Sequence, residues 1–382
     1  MKKLNIKQYF LLKKPFKFDG LSLAVLLLTL FLCVFGCVMV YSASSYSALK
    51  HYGNEYFFLT KQIFGVLIGF ACMVFFYFFD SDKLKKLKWI FFVVAVVALV
   101  LVFVPGIGAS NYGATRWIRI FGMSFQPSEF AKFALVLFCA SYLSENYTKV
   151  KSFKALIPPL MVGGVLCLLV ILEPNMSVTM CLGLTLIAML IIGGISKKHF
   201  LTLACPAAAL VPALIIIEPY RMKRLMAFID PWASPQGEGF QLIQSLYALG
   251  NGGLFGVGLF NSRQKYLFLP FSESDFIFSI IGEELGLFGA TLVIVAFVAL
   301  VVCIIKIALN AKDRFGALLC GGIASLIAIQ VAINVAVVTG SIPPTGIPLP
   351  FISAGSSALM VFMSMIGVVL NVRRKSKICL NN

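Results

Sequence analysis

The sequence predicts an all-α polytopic membrane protein with about ten transmembrane helices and no large soluble domain. Of its 382 residues, 60% are hydrophobic and only 12% are charged. Apolar runs of about 20 residues, the length that crosses a bilayer as a helix, recur along nearly all of the chain. Most of the basic residues fall in alternate segments between these runs. These observations exclude a soluble enzyme and indicate a single membrane domain over residues 1–382.

The predicted transmembrane helices follow the apolar runs in order. The runs are 21–41, 57–79, 89–104, 127–144, 155–172, 176–194, 199–217, 277–309, 315–340 and 351–372. The first run is too long for a signal-peptide core and lacks a clear small-residue cleavage site, so we expect it to be retained as a span. The run at 89–104 is short, and the next pair is nearly joined through Glu173-Pro174, where we expect a plain turn.

The distribution of charge predicts the topology. Of the 32 Lys and Arg residues, 22 lie in the N-terminal segment, near residues 83–88, 149–154, 197–198 and 306–314, or in the C-terminal tail. These segments alternate with the others, so both termini are predicted to be cytoplasmic. The formal net charge of +17 is therefore a topology signal and an attraction to membrane lipid, and no nucleic-acid partner is expected.

The acidic residues show the opposite bias. Ten of the fifteen Asp and Glu residues lie at or near the predicted outer side: Glu55, Glu129, Glu173, Glu218, Asp230, Glu238, Glu273, Asp275, Glu283 and Glu284. We expect the working site at this outer face. The ten cysteines have no metal-type spacing, and no P-loop or dinucleotide fingerprint is present.

The outer loop at 105–126 leads into a span that carries charge. Pro127 and Ser128 are typical of a helix start, and Glu129 and Lys132 follow at i, i+3 spacing. One interpretation is an internal ion pair that lets both charges enter the membrane. The other, which we favour, is a polar lining for an anionic ligand with Arg116 above it, because intramembrane ionisable residues usually mark functional sites.

The long outer loop at 218–276 is too apolar to be a free loop. It begins with Arg221, Lys223 and Arg224, and residues 239–250 are predicted to form one short helix that stops at Gly250. We expect the loop to fold back into the protein or the membrane interface. Long structured loops usually carry function.

The end of this loop holds the most conspicuous carboxylates. If the helix extends back to Asp275, then Asp275, Ser279 and Glu283 form one stripe at i, i+4, i+8 spacing, with Glu284 beside it. The alternative is a loop acid next to an interfacial pair that caps the helix. The last outer loop, at 342–357, has four prolines and cannot be a continuous helix, so at membrane depth it must lie against protein or a water-filled cavity.

Taken in order, the outer segments resemble the SEDS family of cell-wall proteins (shape, elongation, division and sporulation), the FtsW/RodA/SpoVE group. The matching stretches are 40–44, Gly113-Ala114-Thr115-Arg116-Trp117-Ile118, Gln126-Pro127-Ser128-Glu129 with Lys132, Glu173-Pro174-Asn175, Asp230-Pro231-Trp232, Gln244-Ser245-Leu246, Ser262-Arg263-Gln264-Lys265, Asp275-Phe276-Ile277-Phe278, Gly282-Glu283-Glu284-Leu285-Gly286 and 346–353. The resemblance covers essentially the whole chain.

The resemblance implies ten membrane helices and a peptidoglycan glycosyltransferase. Such enzymes polymerise lipid II, the undecaprenyl-pyrophosphate-linked disaccharide-peptide, at the outer face of the bacterial cytoplasmic membrane, for cell division, elongation or sporulation. They usually act with a single-pass class B penicillin-binding protein. The family's essential loop aspartate falls on Asp275, and its intramembrane lysine falls on Lys132. The chain departs from the family pattern at Phe271, Ser234 and Ala354, and Glu273 stands two positions beyond the usual Glu.

The predicted site follows from this chemistry. A sugar hydroxyl attacks while another sugar leaves its pyrophosphate, which requires a base and nearby positive charge. Asp275 is the candidate base, expected to be ionised at neutral pH because a carboxyl of this type has a reference pKa near 3.9. Substrate binding is assigned to Arg116, Gln126, Ser128, Glu129, Lys132, Arg221, Gln264, Lys265, Glu283 and Glu284. The pyrophosphate is expected to be held by Arg116, Lys132, Arg221 or Lys265 or, alternatively, by a divalent cation, Mg²⁺ or Mn²⁺, and no other cofactor is expected.

Two other function classes compete with this prediction. A flippase or transporter of the lipid-linked precursor would also need polar residues inside the helix bundle, but it would need no base. The clustering of acids at one face and the absence of a visible internal repeat favour an outer-face enzyme. A non-catalytic scaffold is the third possibility, and the complete motif around Asp275 argues against it.

Overall fold

The computed structural model describes residues 19–111, 114–120, 123–203, 205, 212 and 219–380. The predicted span at 199–217, the N-terminal lysines, Gly113 and Glu218 lie wholly or mostly outside these residues. The described helices are α1 (Gly20–Tyr52), α2 (Phe57–Phe78), α3 (Ser81–Lys86), α4 (Lys88–Leu101), α5 (Pro127–Glu145), α6 (Ile157–Leu172), α7 (Met176–Gly193), α8 (Pro219–Ile229), α9 (Phe240–Gly252), α10 (Ile277–Leu309), α11 (Arg314–Val338) and α12 (Ser356–Leu380).

The all-α membrane architecture predicted from the sequence is confirmed. Among the described residues, seven helices are long and apolar enough to cross a bilayer: α1, α2, α6 with the 3₁₀ turn before it, α7, α10, α11 and α12. Helix α4 is apolar but has only 14 residues. Helix α5 has 19 residues and fills the predicted span at 127–144. The count of ten spans and the cytoplasmic termini stay predictions.

The centre of the bundle is formed by α5, α11 and α12. Helix α11 packs against α5, α7 and α10, while α12 lies along α2. Small residues allow the closest approach: a Cβ added to Gly367 of α12 would lie 2.3 Å from the backbone oxygen of Met73 in α2. Most residues of α5 are buried, including Glu129 and Lys132. This burial places the charged start of α5 inside protein and away from lipid.

A three-stranded antiparallel sheet stands between α4 and α5. Its strands are β1 (Gly108–Asn111), β2 (Ala114–Ile120) and β3 (Met123–Phe125), in the order β1-β2-β3. Sequence analysis expected a loop here and missed the strands. The sheet matters for function because β2 carries Arg116, and paired strands hold a side chain's backbone more rigidly than a free loop would.

Helix α10 is interrupted near its N-terminal end, and backbone groups of the long loop complete the hydrogen bonding at the interruption. Gly286 adopts φ 67° and ψ −169°, so the i to i−4 ladder breaks there. The amides of Val257 and Gly258 donate to the carbonyls of Glu283 and Glu284, each at 3.0 Å. On the other side of the break, the amide of Leu287 donates to a loop carbonyl at 2.9 Å. The loop therefore folds back into the protein, as its apolar composition predicted.

Candidate functional site

Asp275 lies at the end of the long loop, just before α10 begins, and the surrounding elements hold its backbone in place. The Asn334 Nδ2 atom of α11 donates to the Asp275 carbonyl at 2.9 Å and to the Ile347 carbonyl at 2.7 Å. One residue earlier, the Ser353 hydroxyl donates to the Ser274 carbonyl at 2.6 Å. The proline-rich last loop thus packs against the Asp275 segment, as membrane-depth backbone requires.

The surroundings of Asp275 raise its pKa to a value near neutral pH. Burial and the neighbouring Glu273 carboxylate raise its pKa to about 7, with a smaller rise from Glu129, while Arg116 and Arg224 act in the opposite direction. No hydrogen-bond donor to the Asp275 carboxylate is found among the described residues. The expectation of an ordinary pKa near 3.9 was therefore wrong, because a loop position does not reveal desolvation. A base with a pKa near 7 is well matched to proton transfer at neutral pH.

Arg116 is fixed on the turn between α6 and α7. Its Nε atom donates to the Glu173 carbonyl at 3.2 Å, and its Nη2 atom donates to the Pro174 carbonyl. From this position its positive charge acts on the Asp275 carboxylate. The structure therefore brings Arg116 to the same site as Asp275, although 159 positions separate them in the sequence.

Glu129 and Lys132 form a buried ion pair, and the Glu129 charge acts on Asp275. The Lys132 Nζ atom lies 2.7 Å from Glu129 Oε1 and donates to Gln330 Oε1 at 2.6 Å. The Gln330 amide in turn donates to the Pro348 carbonyl at 2.9 Å, which links the pair to the last loop. The ammonium also lies 5.4 Å from the centre of the Phe362 ring. The pair thus joins α5, α11, α12 and the last loop at one point.

Several buried polar atoms of the described residues lack hydrogen-bond partners, and two of them, Gln264 Oε1 and Glu284 Oε2, belong to the loop at 262–265 and to α10. Among the described residues, the Ser128 hydroxyl, Glu129 Oε2, Asn334 Oδ1, the Thr345 hydroxyl and both carboxyl oxygens of Glu173 are buried and make no hydrogen bond. Such groups are rare, because leaving one unpaired costs about 1–3 kcal/mol. Asn334 also donates to the Asp275 carbonyl, and a polar ligand bound beside Asp275 would supply partners for such unpaired groups.

Glu283 and Glu284 form a second cluster deeper in α10, about 9 Å along the helix axis from its start. Glu284 Oε1 accepts hydrogen bonds from the Ser42 hydroxyl at 2.6 Å and the Ser262 amide at 3.2 Å, and it lies 3.3 Å from the Lys265 ammonium. Glu283 accepts from the Ser262 hydroxyl and from two further amides of the same loop. All five side chains are buried. These contacts anchor the loop at 262–265 to α10.

The predicted stripe of Asp275, Ser279 and Glu283 is therefore wrong. Helix α10 begins at Ile277, so Asp275 lies outside its regular geometry. Ser279 bonds to the hydroxyl of Ser245 in α9 at 2.8 Å, and Glu283 turns to the loop. The three side chains serve three different contacts. A kinked helix with loop segments on several sides does not present one uniform face.

The structure sorts the predicted substrate-binding residues into two groups. Arg116 and Glu129 act by charge on Asp275, Lys132 is paired with Glu129, and Ser128 precedes Glu129 in α5. The backbone amide of Gln126 donates to the Ser357 hydroxyl at 3.3 Å. The residues Gln264, Lys265, Glu283 and Glu284 belong to the loop anchor. Arg221 lies in α8. The role of all these residues in substrate binding stays a prediction.

Sequence reasoning missed several residues of the Asp275 site. Arg224, one turn beyond Arg221 in α8, acts on the Asp275 carboxylate by charge and donates to the Pro344 carbonyl at 3.2 Å. Asn334 and Gln330 were not singled out either, and Glu173 was predicted only as an outer acid in a plain turn and in a family-matching stretch. Arg224 could have been predicted from the sequence, because it belongs to the basic group at the start of the long loop. The others are single polar residues in apolar runs or in a turn, which an isolated sequence does not distinguish from packing.

The site fits a divalent cation only when a ligand shares it. Within the described residues, no three His, Cys, Asp or Glu side chains are grouped so as to hold a metal ion. Mg²⁺, however, is commonly bound by one or two carboxylates together with substrate phosphates. Asp275 and Glu273 are the carboxylates that would contribute in that arrangement, and the expectation of a cation stays a prediction.

Comparison with known proteins identifies relatives across nearly the whole chain. Residues 23–378 match the model of the FtsW/RodA/SpoVE family, described as "Cell cycle protein". The stage V sporulation protein E of Bacillus subtilis (strain 168) is 40% identical over 357 residues, which cover 93% of this chain and 98% of that protein. A probable peptidoglycan glycosyltransferase FtsW of Geobacter sp. (strain M18) is 40% identical over 360 residues, covering 94% and 98%.

Solved structures show the same fold. A chain of a peptidoglycan synthase complex, described as coordinating polymerization and crosslinking, superimposes with a TM-score of 0.77 at 25% identity and covers 92% of this chain and 97% of its own. The rod shape determining protein RodA of Thermus thermophilus gives a TM-score of 0.68 at 22% identity, covering 92% and 96%.

Proposed function

This chain belongs to the FtsW/RodA/SpoVE family of cell cycle proteins, the SEDS family, and we propose that it is a peptidoglycan glycosyltransferase that polymerises lipid II at the outer face of the cytoplasmic membrane. The observation that carries the proposal is the half-buried Asp275 carboxylate, with its backbone fixed and two arginines acting on it. A flippase would have no need for a base tuned in this way.

Asp275 would act as the general base. The hydroxyl oxygen of the acceptor sugar forms a bond to the anomeric carbon of the donor sugar, and the bond from that carbon to the pyrophosphate breaks. The hydroxyl proton passes to the Asp275 carboxylate, and the lipid pyrophosphate departs with the bonding electron pair. Positioned base catalysis of this kind contributes about 10²–10⁴-fold in rate.

Positive charge at the site would stabilise the departing pyrophosphate. The positive charges of Arg116 and Arg224 act on the Asp275 carboxylate from two different elements, β2 and α8. Preorganised cations of this kind favour charge that develops in the transition state. A bound divalent cation would add charge neutralisation of the pyrophosphate. Lys132 is already shared between Glu129 and Gln330, so its contribution is to hold α5 against α11.

The outer face is proposed from the charge pattern. The segments at residues 83–88 and 306–314 are rich in Lys and Arg, and they lie at the opposite ends of the neighbouring helices from Asp275. Under the positive-inside rule those segments are cytoplasmic, which places Asp275 and the long loop at 218–276 outside. Lipid-linked disaccharide-peptide is polymerised on that side.

A class B penicillin-binding protein is the proposed protein partner. The support is the similarity to a peptidoglycan synthase complex described as combining polymerization with crosslinking. A polymerase that makes glycan strands needs a crosslinking enzyme to consume them. Membrane lipid would surround the apolar outer surface of the bundle.

The experiment compares purified wild-type protein with Asp275→Asn on lipid II, with any transferase activity of a partner absent. Asparagine keeps the size of the side chain and removes its basicity, so we expect polymer from the wild type and at least about 100-fold less from the variant. Glu238→Gln, at an exposed outer-loop carboxylate, is the control and should polymerise normally. Equal polymer from Asp275→Asn and wild type would overturn the role of Asp275. No polymer from the wild type would overturn the polymerase proposal.

A further inference from the structure

Glu173 is a buried carboxyl that the proposed reaction does not yet use. It follows the last residue of α6, its side chain is 0% exposed, and neither of its oxygens has a hydrogen-bond partner among the described residues. Sequence analysis expected only a plain turn here. A turn needs no buried carboxyl, and burying an unpaired charged group is costly.

The charged neighbour of Glu173 is Arg116. The guanidinium donates to the backbone carbonyls of Glu173 and Pro174, and its positive charge acts on the Glu173 carboxyl as well as on Asp275. Arg116 therefore acts by charge on two carboxyls and is held by the backbone of one of them. The adjoining polar groups are engaged otherwise: Asn175 caps α7 by accepting from the Val178 amide at 3.3 Å.

The state of Glu173 follows from this environment. Burial disfavours the carboxylate and raises the pKa of Glu173 to about 8. The positive charge of Arg116 opposes this rise. At neutral pH the side chain is therefore mostly a neutral carboxyl. A neutral carboxyl leaves the guanidinium on the two carbonyls. An ionised one would draw the guanidinium to itself, because charge-assisted bonds to a carboxylate are stronger than bonds to a neutral carbonyl.

We propose that Glu173 is a positioning residue that stays protonated during turnover and thereby keeps the Arg116 guanidinium directed at Asp275 and the substrate pyrophosphate. This inference rests on the proposed function. Ionisation of Glu173 at alkaline pH would pull Arg116 out of place and lower the rate. The carboxyl thus sets the upper limit of the pH range, and Asp275 sets the lower one.

The first test is the pH profile of kcat/KM for lipid II, measured from pH 6 to 9.5 on wild type, Glu173→Gln and Glu238→Gln. The wild type should lose about tenfold between its maximum and pH 9, one unit above the Glu173 pKa. Glu173→Gln imitates the neutral carboxyl, so it should match wild type near pH 7 and keep its rate at pH 9. Glu238→Gln should show the wild-type decline, because Glu238 is exposed.

The second test needs no substrate. Infrared difference spectra between pH 7 and pH 9 are taken in the Asp275→Asn background, because the pKa of Asp275 is itself about 7. They should show a protonated-carboxyl band that disappears when Glu173 is present and is absent from the double variant Asp275→Asn with Glu173→Gln. An unchanged band in the double variant, a persistent alkaline decline, or an inactive but folded Glu173→Gln protein would each overturn the inference. If the wild type makes no polymer at any pH, the proposed function fails, while the infrared result still decides the protonation of Glu173.

Discussion

The backbone of Gly346 lies directly against the carboxylate of Asp275. A Cβ added to Gly346 would stand 2.9 Å from Asp275 Oδ2, closer than real Cβ contacts normally allow. The Gly346 amide is itself held, donating to the Ser177 hydroxyl at 3.2 Å. The missing side chain therefore leaves room for the carboxylate. Glycine at this position of the last loop serves the site and not only the turn.

Replacing this glycine should damage catalysis more than folding. In Gly346→Ala, the added methyl group would push the Asp275 carboxylate aside, and misplacement of about 1 Å can cost about 100-fold in rate. We expect polymerisation of lipid II to fall by that order, with normal membrane insertion and thermal stability. Gly355→Ala in the same loop is the matched control, because its Cβ would meet only the Ala358 side chain at 3.8 Å. Equal activity in both variants would contradict this placement of Asp275.

The acidic limb of the pH profile should report Asp275. Its pKa is raised to about 7, and the base must be ionised, so kcat/KM should fall as the pH drops through about 7. In Glu273→Gln the repulsion from Glu273 disappears, which lowers the Asp275 pKa and moves this limb to lower pH. Glu238→Gln should leave the limb in place. A profile that does not move in Glu273→Gln would show that the limb belongs to another group.

The ion pair of Glu129 and Lys132 should be needed for both stability and activity. Lys132→Ala leaves a buried carboxylate unpaired, which typically costs about 3–5 kcal/mol in the free energy of unfolding. We expect a lower thermal stability and no polymer. The double variant Lys132→Met with Glu129→Gln removes both charges and should recover most of the stability. If the double variant also recovers activity, the pair is only structural. If it stays inactive while folded, the two charges are needed for substrate binding or for the arrangement of the site.

The contact of α9 with α10 should tolerate no side chain at Gly252. A Cβ there would lie 1.9 Å from the Gly282 carbonyl oxygen, so α9 would have to move away from the interrupted helix. We expect Gly252→Ala to lower the melting temperature of the detergent-solubilised protein by several degrees. Gly250→Ala is the matched control in the same helix, because nothing lies within 4 Å of its Cβ. Similar melting temperatures for both variants would contradict the packing described.

The predicted topology can be tested by labelling single cysteines. Gln236 in the long loop and Asn310 at the end of α10 are both exposed. In a cysteine-free background, an impermeant thiol reagent should label Gln236→Cys in intact cells and Asn310→Cys only after the membrane is opened. The reverse pattern would place Asp275 on the cytoplasmic side and would remove the outer-face assignment of the polymerase.

The sequence by itself determined the membrane class, the bounds of most helices and the family. These features depend on local composition and order along the chain, such as the apolar lengths and the motif at Asp275. The charged start of α5 was also visible, because the spacing of Glu129 and Lys132 within one helix sets their contact. The proline-rich last loop was expected to lie against protein for the same local reason.

Only the tertiary structure decided what each polar residue contacts. Asn334 and Gly346 meet Asp275 across long stretches of chain, and no periodicity encodes such contacts. The same holds for Glu283, whose carboxylate turns to a loop because α10 is interrupted and the loop fills the gap. The pKa of a carboxyl likewise depends on packing. The burial that raises the pKa values of Asp275 and Glu173 comes from distant segments, so their protonation states are visible only in the folded chain.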